Sequence, residues 1–482
     1  MNKSQQTIFK IIFFSLLLLR LGFIATTSVI DDEAYYYVYS NHLAGGYIDH
    51  GPVVAFLIKI FTAVFGETGF GIRSGSVFLL MFLGFILYKF GEKYFSQVTG
   101  VVLSLSVITN VLFHTNSVVM TPDAPLAFFS FLFIISYYLG FFHNKGFFIP
   151  AGIFLGLSLL SKISALFPAL GVFLFPLLIK SHQKVFKEKY YYLSFVIAFI
   201  ILSPFIIWNF QNDWAFVRYQ GTHIMEAGSI KTFSELWAGV GILLGPFLFI
   251  ACIILPLKIL LKNYFSAKDE NPVLVYFAFT SAVPLLYFLI HSSFSQFELN
   301  WPAPTFYGGI LLFGITAGND ISNRKIFQFI YSLILVVIIT VQVYFPILPL
   351  QGKTDITNRY FIYSSLQEKL GFFLGQEVQF KNYRILANNY QLPSMINLYL
   401  KPELEATCLS IGYHKTLYSF LYPDEQLKGG DYLYITKGKT FPCHLKIYFE
   451  EISLLKNFES IRNEESIAEF SLWYVKNYHG KK

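Results

Sequence analysis

Long apolar segments recur through the first three quarters of this chain, and they constrain its fold more than any other feature. The hydrocarbon core of a bilayer is about 30 Å thick, so an apolar segment of roughly 17 to 25 residues can cross it as an α-helix. Hydrophobic residues make up 55% of the 482 residues and charged residues only 13%, with a mean hydropathy of +0.53. These values exclude an ordinary soluble protein, and the chain is predicted to be an integral membrane protein.

The segments predict an all-α membrane domain of about eleven transmembrane helices. The run from 147 to 180 is too long for one span and is interpreted as a tight hairpin, broken by the polar residues 161–164. The first run resembles a signal peptide, but it lacks a small-residue cleavage site and is long enough to remain as an anchor. Arg20 lies within it and is expected to have a partner inside the bundle. The predicted spans are 8–29, 72–90, 98–117, 123–141, 147–161, 164–180, 191–209, 237–258, 272–291, 301–318 and 327–346.

Basic residues fall in alternate loops, and short loops rich in Lys and Arg stay on the cytoplasmic side. With the N-terminus inside, the predicted cytoplasmic loops carry Lys89, Lys93, Lys145, Lys180, Lys184, Lys187, Lys189, Lys258, Lys262, Lys268, Arg324 and Lys325. The opposite loops are poor in basic residues, and an odd number of spans places the C-terminal region outside the cytoplasm. The net charge of +7 therefore reflects the topology of a multi-pass protein of the cell inner (plasma) membrane, and it gives no reason to expect a nucleic acid partner.

The composition changes after residue 346, where charged and polar residues spread through the chain. A strand-like YRILA is followed by a helix-like YQLPSMINLYL, which predicts a mixed α/β unit. The chain is therefore divided into a membrane domain at 1–346, with a first external loop at 31–71, and a small soluble α/β extracytoplasmic domain at 347–482. Cys408 and Cys443 lie in the second domain. In an oxidising compartment they could form a disulfide, and two unpaired thiols are an equally good interpretation.

Three consecutive acids, Asp31, Asp32 and Glu33, follow the first span directly. One interpretation is structural: Asp31 caps a new helix, and the other two lie in its first turn, where the helix dipole favours negative charge. A functional interpretation is supported by the other external loops, which also place ionisable or amide side chains at span ends. Those side chains are Asp49, His50, Asp123, Lys162, Asp213, Arg218, His223, Glu298 and Asn300. Carboxylates and cations are therefore expected on one face of the membrane domain.

Six motifs occur in this order along the chain: DDEAYY, YIDHGP, TPDAPL, GLSLLSKISALFPALG, PFIIWNFQNDW and ELNWPAP. In this order and spacing they resemble the polyprenyl-phosphate-sugar-dependent glycosyltransferases of the GT-C fold, over roughly residues 8 to 310. The branch that they resemble holds bacterial protein-mannosyltransferase-like enzymes and the lipid A aminoarabinose and galacturonic acid transferases. The resemblance implies a multi-helix membrane enzyme that takes a sugar from a polyprenyl phosphate and passes it to an acceptor outside the cytoplasm. Lipid A or another glycolipid is the first expected acceptor, and a protein hydroxyl is the second.

The resemblance also implies roles for particular acids. Asp32 is implied as the base or the group that orients the acceptor, with Glu33 beside it as a second orienting group. Asp123 matches the second external carboxylate of the family and is expected to bind acceptor, sugar or a metal. Family members commonly have one or two prolines after the charged residues of the DHGP region. Gly51 replaces the first of these prolines, while the preceding charged residues remain in register.

Substitution at an anomeric carbon needs carboxylates to position and deprotonate the acceptor oxygen, and cations to stabilise the departing phosphate. Lys162 and Arg218 are the predicted ligands of the donor phosphate, with His50 third. Snorkelling of Lys162 to the interface and a solvated loop position for Arg218 are the structural alternatives. A monophosphate donor carries less charge than a nucleotide sugar, so a divalent metal, for which Asp49 is the candidate ligand, is compatible with the reaction but not required.

Two other classes of protein, a membrane transporter and a structural scaffold, fit the sequence less well than an enzyme. A membrane transporter would carry its ionisable residues within the spans, and a repeat would relate its two halves. Here these residues lie at span ends on one side, and the sequence shows no such repeat. A structural scaffold for the C-terminal domain would leave the six ordered motifs unexplained. The sequence therefore favours an enzyme embedded in the membrane.

Overall fold

The computed structural model describes residues 3–223, 228–265, 271–316, 318, 321–350, 352–380, 383–400, 405–412 and 414–481. The chain divides into two compact units. The first, called the membrane unit here, comprises Met1–Phe23, Ala44–Val54 and Arg73–Ile338. The second, called the C-terminal unit, comprises Ile24–Leu43, Ala55–Ile72 and Ile339–Lys482. Much of the external loop predicted at 31–71 thus belongs to the same unit as the C-terminal residues.

Most of the described residues before position 345 are helical. The helices are α1 (Lys3–Thr26), α2 (Asp31–Asn41), α3 (Val53–Phe65), α4 (Gly69–Tyr94), α5 (Gln97–Ile108), α6 (Val111–Val118), α7 (Asp123–Phe142), α8 (Phe148–Ser161), α9 (Leu166–Leu178), α10 (Lys189–Gln211), α11 (Ala215–His223), α12 (Ile230–Leu244), α13 (Pro246–Phe265), α14 (Pro272–Ser292), α15 (Pro304–Ile315) and α16 (Asn323–Tyr344). Within the described ranges, seven helices are long and apolar enough to cross a membrane, and nine spans result if each of two bent helix pairs counts as one. The predicted count of eleven is not confirmed by this measure, because α8 and α15 have only 14 and 12 residues.

Two of the predicted spans are interrupted. The span predicted at 98–117 consists of α5 and α6, which are bent by 60° relative to each other, with Asn110 in the break. The span predicted at 237–258 is divided at Gly245, where a φ of +86° ends α12. The side chain of Asn110 donates to the carbonyl of Leu244 at 2.9 Å, so the two breaks are bonded to each other. Mean hydropathy does not reveal such breaks, since one residue hardly changes the average over twenty.

Arg20 has the partners inside the bundle that the sequence predicts. It is fully buried in the membrane unit, and its guanidinium donates to the carbonyls of Leu16 and Ile108 and to the hydroxyl of Ser117. Ile108 is the last residue of α5, where carbonyl groups lack intrahelical donors. Arg20 therefore supplies hydrogen-bond donors to the end of α5, and its bonds connect α1 to α5 and α6.

The predicted break within 147–180 is present, and it contains Lys162 between α8 and the short turn that leads into α9. The loop at 49–51 packs against this break. A Cβ atom at Gly51 would lie 1.7 Å from the carbonyl oxygen of Leu160, so no larger residue fits there. This close approach explains why a glycine replaces the expected proline.

The C-terminal unit contains a five-stranded sheet with strand order β2-β1-β3-β5-β4. Its strands are β1 (Ile385–Ala387), β2 (Ala406–Cys408), β3 (Tyr432–Lys437), β4 (Glu451–Arg462) and β5 (Glu465–Lys476), and its helices after α16 are α17 (Arg359–Gln376), α18 (Gln391–Tyr399), α19 (Leu417–Leu421) and α20 (Asp424–Leu427). Strand β1 is parallel to β2 and β3, whereas β5 is antiparallel to β3 and β4. Leu386, Tyr434 and Phe441 belong to the apolar core of this sheet.

The two cysteines of the C-terminal unit are free. Cys408 is buried at the end of β2, and Cys443 is exposed. Of the two interpretations left open by the sequence, the disulfide is therefore wrong. Burial raises the pKa of the Cys408 thiol, which makes this cysteine a poor nucleophile.

Candidate active site

The carboxylate of Asp123 is the centre of a polar cluster in the membrane unit. Asp123 is the first residue of α7 and is only 4% exposed. Its Oδ1 accepts from Nζ of Lys162 at 2.9 Å, and its Oδ2 accepts from Nδ2 of Asn300 at 2.7 Å. The positive end of a helix dipole and two hydrogen bonds offset the cost of burying this charge. The structure thus brings together Asp123 and Lys162, which were predicted as site residues separately.

Lys162 reaches Asp123 because the chain is extended at this position, with φ −158° and ψ 136°. Its side chain is largely buried, so the alternative of a lysine that snorkels to the interface is wrong. An ammonium group has three N–H donors. Among the described residues, Asp123 is the carboxylate that lies within salt-bridge distance of Lys162, and the remaining donors can bind a second anion.

The loop with Asp49 and His50 lies in the same unit, and both residues are half-buried. Gln220 of α11 donates to the backbone carbonyl of Asp49 at 3.1 Å, which joins α11 to this loop. Arg218 lies on the same helix and is exposed. Three of the predicted residues, Asp49, His50 and Arg218, therefore belong to one region of the membrane unit.

A second acidic cluster lies in the C-terminal unit, at the start of α2. Arg359, the first residue of α17, donates to Oδ1 of Asp31 and, at 2.7 Å, to Oδ2 of Asp32. The hydroxyl of Tyr363 donates to Asp31 at 3.3 Å, and that of Tyr390 donates to Asp32 at 3.2 Å. The side chain of Asp31 is 13% exposed and that of Asp32 is 32% exposed. Asp32 is therefore the more accessible carboxylate of the pair.

Glu33 caps α2, and Asp31 does not. The helix begins at Asp31 after Ile30, whose side chain offers no hydrogen-bond acceptor. The fully buried Glu33 instead accepts from the N–H of Ile30 at 3.0 Å, as an acid at the third helical position does in a capping box. The interpretation of Asp31 as the cap is wrong, and the role of Glu33 as an orienting group in catalysis stays a prediction.

The charges of the second cluster depend on each other. Burial raises the pKa of Asp31, the guanidinium of Arg359 opposes this rise, and the carboxylate of Asp32 adds to it. Burial also opposes the charge of Arg359, but the two carboxylates outweigh this effect and raise its pKa. Arg359 therefore stays charged and holds both acids.

Sequence reasoning missed Arg359, Tyr363 and Tyr390. Arg359 lies 327 positions from Asp32 along the chain. An arginine and a tyrosine four residues apart predict only one face of a helix, and that pattern does not indicate what the face contacts. The ELNWPAP motif indicates Asn300 as a polar residue at a span end, but it does not predict the bond to Asp123.

No group of three or more His, Cys, Asp or Glu side chains that could hold a metal ion occurs in the described part of the chain. Asp49 as a metal ligand therefore stays a prediction, and no step proposed below depends on a metal. Two residues named in the sequence analysis, Lys268 and the side chain of His223, lie outside the described residues.

Comparison with known proteins gives a family match for the region that contains Asp123 and Lys162. Residues 49–208 match the family described as dolichyl-phosphate-mannose-protein mannosyltransferase. The chain is also 24% identical, over 297 residues, to the lipid A galacturonosyltransferase RgtD of Rhizobium johnstonii. That alignment covers 61% of this chain and spans 61% of the length of the relative.

Solved structures resemble the chain over nearly its whole length. ArnT from Cupriavidus metallidurans in the apo state has a TM-score of 0.65 at 12% identity, covering 97% of this chain and 98% of that chain. The same protein bound to undecaprenyl phosphate has a TM-score of 0.65 at 12% identity and covers 98% of both chains. The arabinofuranosyltransferase AftD from Mycobacteria has a TM-score of 0.52 at 8% identity, covering 99% of this chain and 40% of that chain. The resemblance noted in the sequence is thereby confirmed, and the chain has the fold of ArnT over nearly its whole length.

Proposed function

We propose that this protein is a membrane glycosyltransferase that moves a sugar from a polyprenyl-phosphate-linked donor to a glycolipid acceptor of the lipid A type. The observation that carries the proposal is the largely buried contact between Asp123 and Lys162, at helix ends within the range that matches the mannosyltransferase family. The proposal is further supported by the names of two similar proteins: RgtD is a lipid A galacturonosyltransferase, and ArnT has been solved bound to undecaprenyl phosphate.

In the proposed reaction, a hydroxyl oxygen of the acceptor attacks the anomeric carbon of the sugar. The bond from that carbon to the phosphate oxygen breaks, and polyprenyl phosphate leaves as an anion. Lys162 is proposed to stabilise this anion with the N–H donors that Asp123 does not use. Asp123 holds the ammonium in place, and Arg218 and His50 are proposed as further phosphate ligands in the same unit.

Asp32 is proposed as the general base that takes the proton of the acceptor hydroxyl. It is more accessible than Asp31, and a carboxylate offers about four acceptor positions, of which Arg359 and Tyr390 use two. These two bonds fix the direction of the remaining lone pairs, which favours proton transfer in one geometry. Glu33 supports the arrangement by fixing the first turn of α2.

The acceptor and the orientation are further parts of the proposal. The distribution of lysines supports a C-terminal unit outside the cytoplasm, where the outer glycolipids are accessible. RgtD supports lipid A as acceptor, whereas the matched mannosyltransferase family supports a protein hydroxyl. We favour the glycolipid, because RgtD aligns with 61% of this chain and the family match covers residues 49–208 only.

The test uses the purified full chain in liposomes, supplied with a polyprenyl phosphate that carries galacturonic acid, aminoarabinose or mannose. Lipid A and a Ser/Thr-containing peptide are offered together, and both are analysed by mass spectrometry. We expect lipid A to gain the mass of one sugar, and we expect Asp123→Asn to remove this gain while Glu465→Gln, an exposed acid of β5, retains it. Transfer to the peptide alone would show that the acceptor is a protein hydroxyl and not a glycolipid. If the folded protein transferred no sugar from any of the three donors, the proposal would be overturned.

A further inference from the structure

Exposed apolar side chains surround the point where the last membrane helix ends. Directly after Tyr344, the last residue of α16, the chain reads FPILPL over residues 345–350. Its two prolines prevent the helix from continuing. Phe345 is 71% exposed, and three more apolar residues of this segment are exposed as well: Ile347, Leu348 and Leu350.

The tip of the β4–β5 hairpin is bonded to the same helix end. Arg462, the last residue of β4, is buried and donates to the carbonyls of Gln342 and Val343, each at 2.8 Å. Carbonyl groups in the last turn of a helix lack intrahelical donors. Arg462 therefore caps α16 from the sheet of the C-terminal unit.

A buried carboxylate holds Arg462 in this position. Asp355 lies 3.4 Å from Arg462 and accepts from Nε2 of Gln342 at 2.8 Å. Arg462 also donates to the side chains of Thr357 at 2.9 Å and Asn358 at 2.6 Å. Burial opposes the charge of Asp355, but its hydrogen bonds and Arg462 outweigh this effect and lower its pKa. The turn, the hairpin tip and the helix end thus form one hydrogen-bonded network.

Two more apolar side chains are exposed beside this network. Ile356, between the buried residues Asp355 and Thr357, is 73% exposed, and Ile461, next to Arg462, is 50% exposed. The apolar rim is defined here as Phe345, Ile347, Leu348, Leu350, Ile356 and Ile461. Large exposed apolar patches mark sites of protein or membrane interaction, because removing apolar surface from water is favourable.

We propose that the apolar rim inserts into the headgroup boundary of the bilayer and anchors the C-terminal unit on the lipid surface. We infer that lipid covers the rim because the rim directly follows α16. Within the described ranges, α16 is one of the seven helices that are long and apolar enough to span a membrane. The exposed residues begin directly after the last residue of that helix. Apolar side chains bind favourably at this depth of a membrane.

The anchored rim also affects the position of Arg359 in the candidate site, and this part of the inference rests on the proposed function. Arg359 follows Asn358 directly and begins α17, so the residue that holds Asp31 and Asp32 lies three positions from Ile356. A rim seated in lipid at Ile356 keeps this arginine at the level of the membrane surface. A lipid-linked sugar and a glycolipid acceptor both present their reacting groups at that level.

The test measures the depth of single nitroxide labels in liposomes. Cys443→Ser removes the exposed thiol and leaves Cys252 and Cys408, both of which are buried. Ile356→Cys and Ile461→Cys are then labelled, and the collision rates with oxygen and with a water-soluble nickel complex are compared. We expect both labels to collide more often with oxygen than with the nickel complex, as labels at lipid-exposed positions do. A label at Ile447→Cys, a 63% exposed position of the same unit, should collide more often with the nickel complex.

Labels at positions 356 and 461 that favour nickel as strongly as the label at 447 would overturn the proposal, whatever reaction the protein catalyses. Phe345→Trp provides a second measurement that keeps an aromatic side chain and needs no label. In liposomes whose lipids are brominated near the headgroup, this variant should show a quenched fluorescence component that the parent protein lacks. Emission from the added tryptophan that is quenched by iodide in water instead would contradict insertion of the rim.

Discussion

The ammonium of Lys162 lies 2.9 Å from the carboxylate of Asp123, and the amide of Asn300 lies 2.7 Å from its other oxygen. The lysine and the asparagine lie 39 and 177 positions away from the aspartate along the chain. A buried carboxylate that loses its cation keeps an uncompensated charge, which is strongly destabilising. The cation and the acid are therefore expected to depend on each other.

The first prediction concerns this pair. Lys162→Met and Asp123→Asn should each lower the free energy of unfolding, because each leaves the other side chain without its charged partner. The double variant should lose less than the sum of the single losses, with a coupling of about 0.5 to 3 kcal/mol. The measurement is a double-mutant cycle by thermal unfolding in one detergent. Strictly additive losses would show that the pair contributes nothing through its contact.

The second prediction separates Asp31 from Asp32. Asp32→Asn keeps the shape but removes the charge of the proposed base, so the rate of sugar transfer should fall by about 10² to 10⁴. Asp31→Asn should affect folding more than the rate, since Asp31 is the less accessible acid and is held by both Arg359 and Tyr363. Rates are measured with the purified variants, and thermal unfolding serves as the folding control. Equal rates for folded Asp32→Asn and the parent protein would remove Asp32 as the base.

The third prediction tests the cap supplied by Glu33. Glu33→Gln keeps an oxygen that can accept from the N–H of Ile30, so stability and sugar transfer should stay close to the parent values. Glu33→Ala removes this bond and should cost about 1 kcal/mol in the free energy of unfolding. Both are measured by thermal unfolding and a transfer assay. A folded but inactive Glu33→Gln would instead support a direct role for this charge in catalysis.

The fourth prediction concerns topology. A reporter fused after Lys482 should be active outside the cytoplasm, whereas one fused near Lys187 should be active inside, because Lys187 lies in the loop richest in lysine. Paired alkaline phosphatase and green fluorescent protein fusions measure this directly. The reversed pattern would place the acidic residues on the cytoplasmic side and contradict the proposed acceptor.

The fifth prediction uses the thiols. In the native protein a water-soluble maleimide should modify Cys443, which is exposed, and leave Cys408, which is buried in β2 and has a raised pKa. After unfolding in denaturant both should react. Peptide mass mapping identifies the modified cysteine, and a native protein in which neither thiol reacts until a reductant is added would indicate a disulfide.

Much of the fold follows from the sequence alone. Apolar length predicts which segments are membrane helices, because polar residues are costly to place in lipid. The distribution of lysines predicts their direction, because short loops rich in Lys and Arg stay on the cytoplasmic side. Ordered motifs carry the family resemblance, and they single out Asp123 and Lys162, which the structure places in contact. The break at Lys162 is also visible in the sequence, since polar residues interrupt a run too long for one helix.

Only the tertiary structure decides which charges meet. The pairing of Asp123 with Lys162, the bonds of Arg359 to Asp31 and Asp32, and the breaks at Asn110 and Gly245 all depend on contacts between distant segments. Hydropathy is a local sum and does not encode such contacts. The sequence shows that a carboxylate is costly to bury, but packing selects the cation that offsets this cost. Arg359, for example, lies 328 positions from Asp31 along the chain.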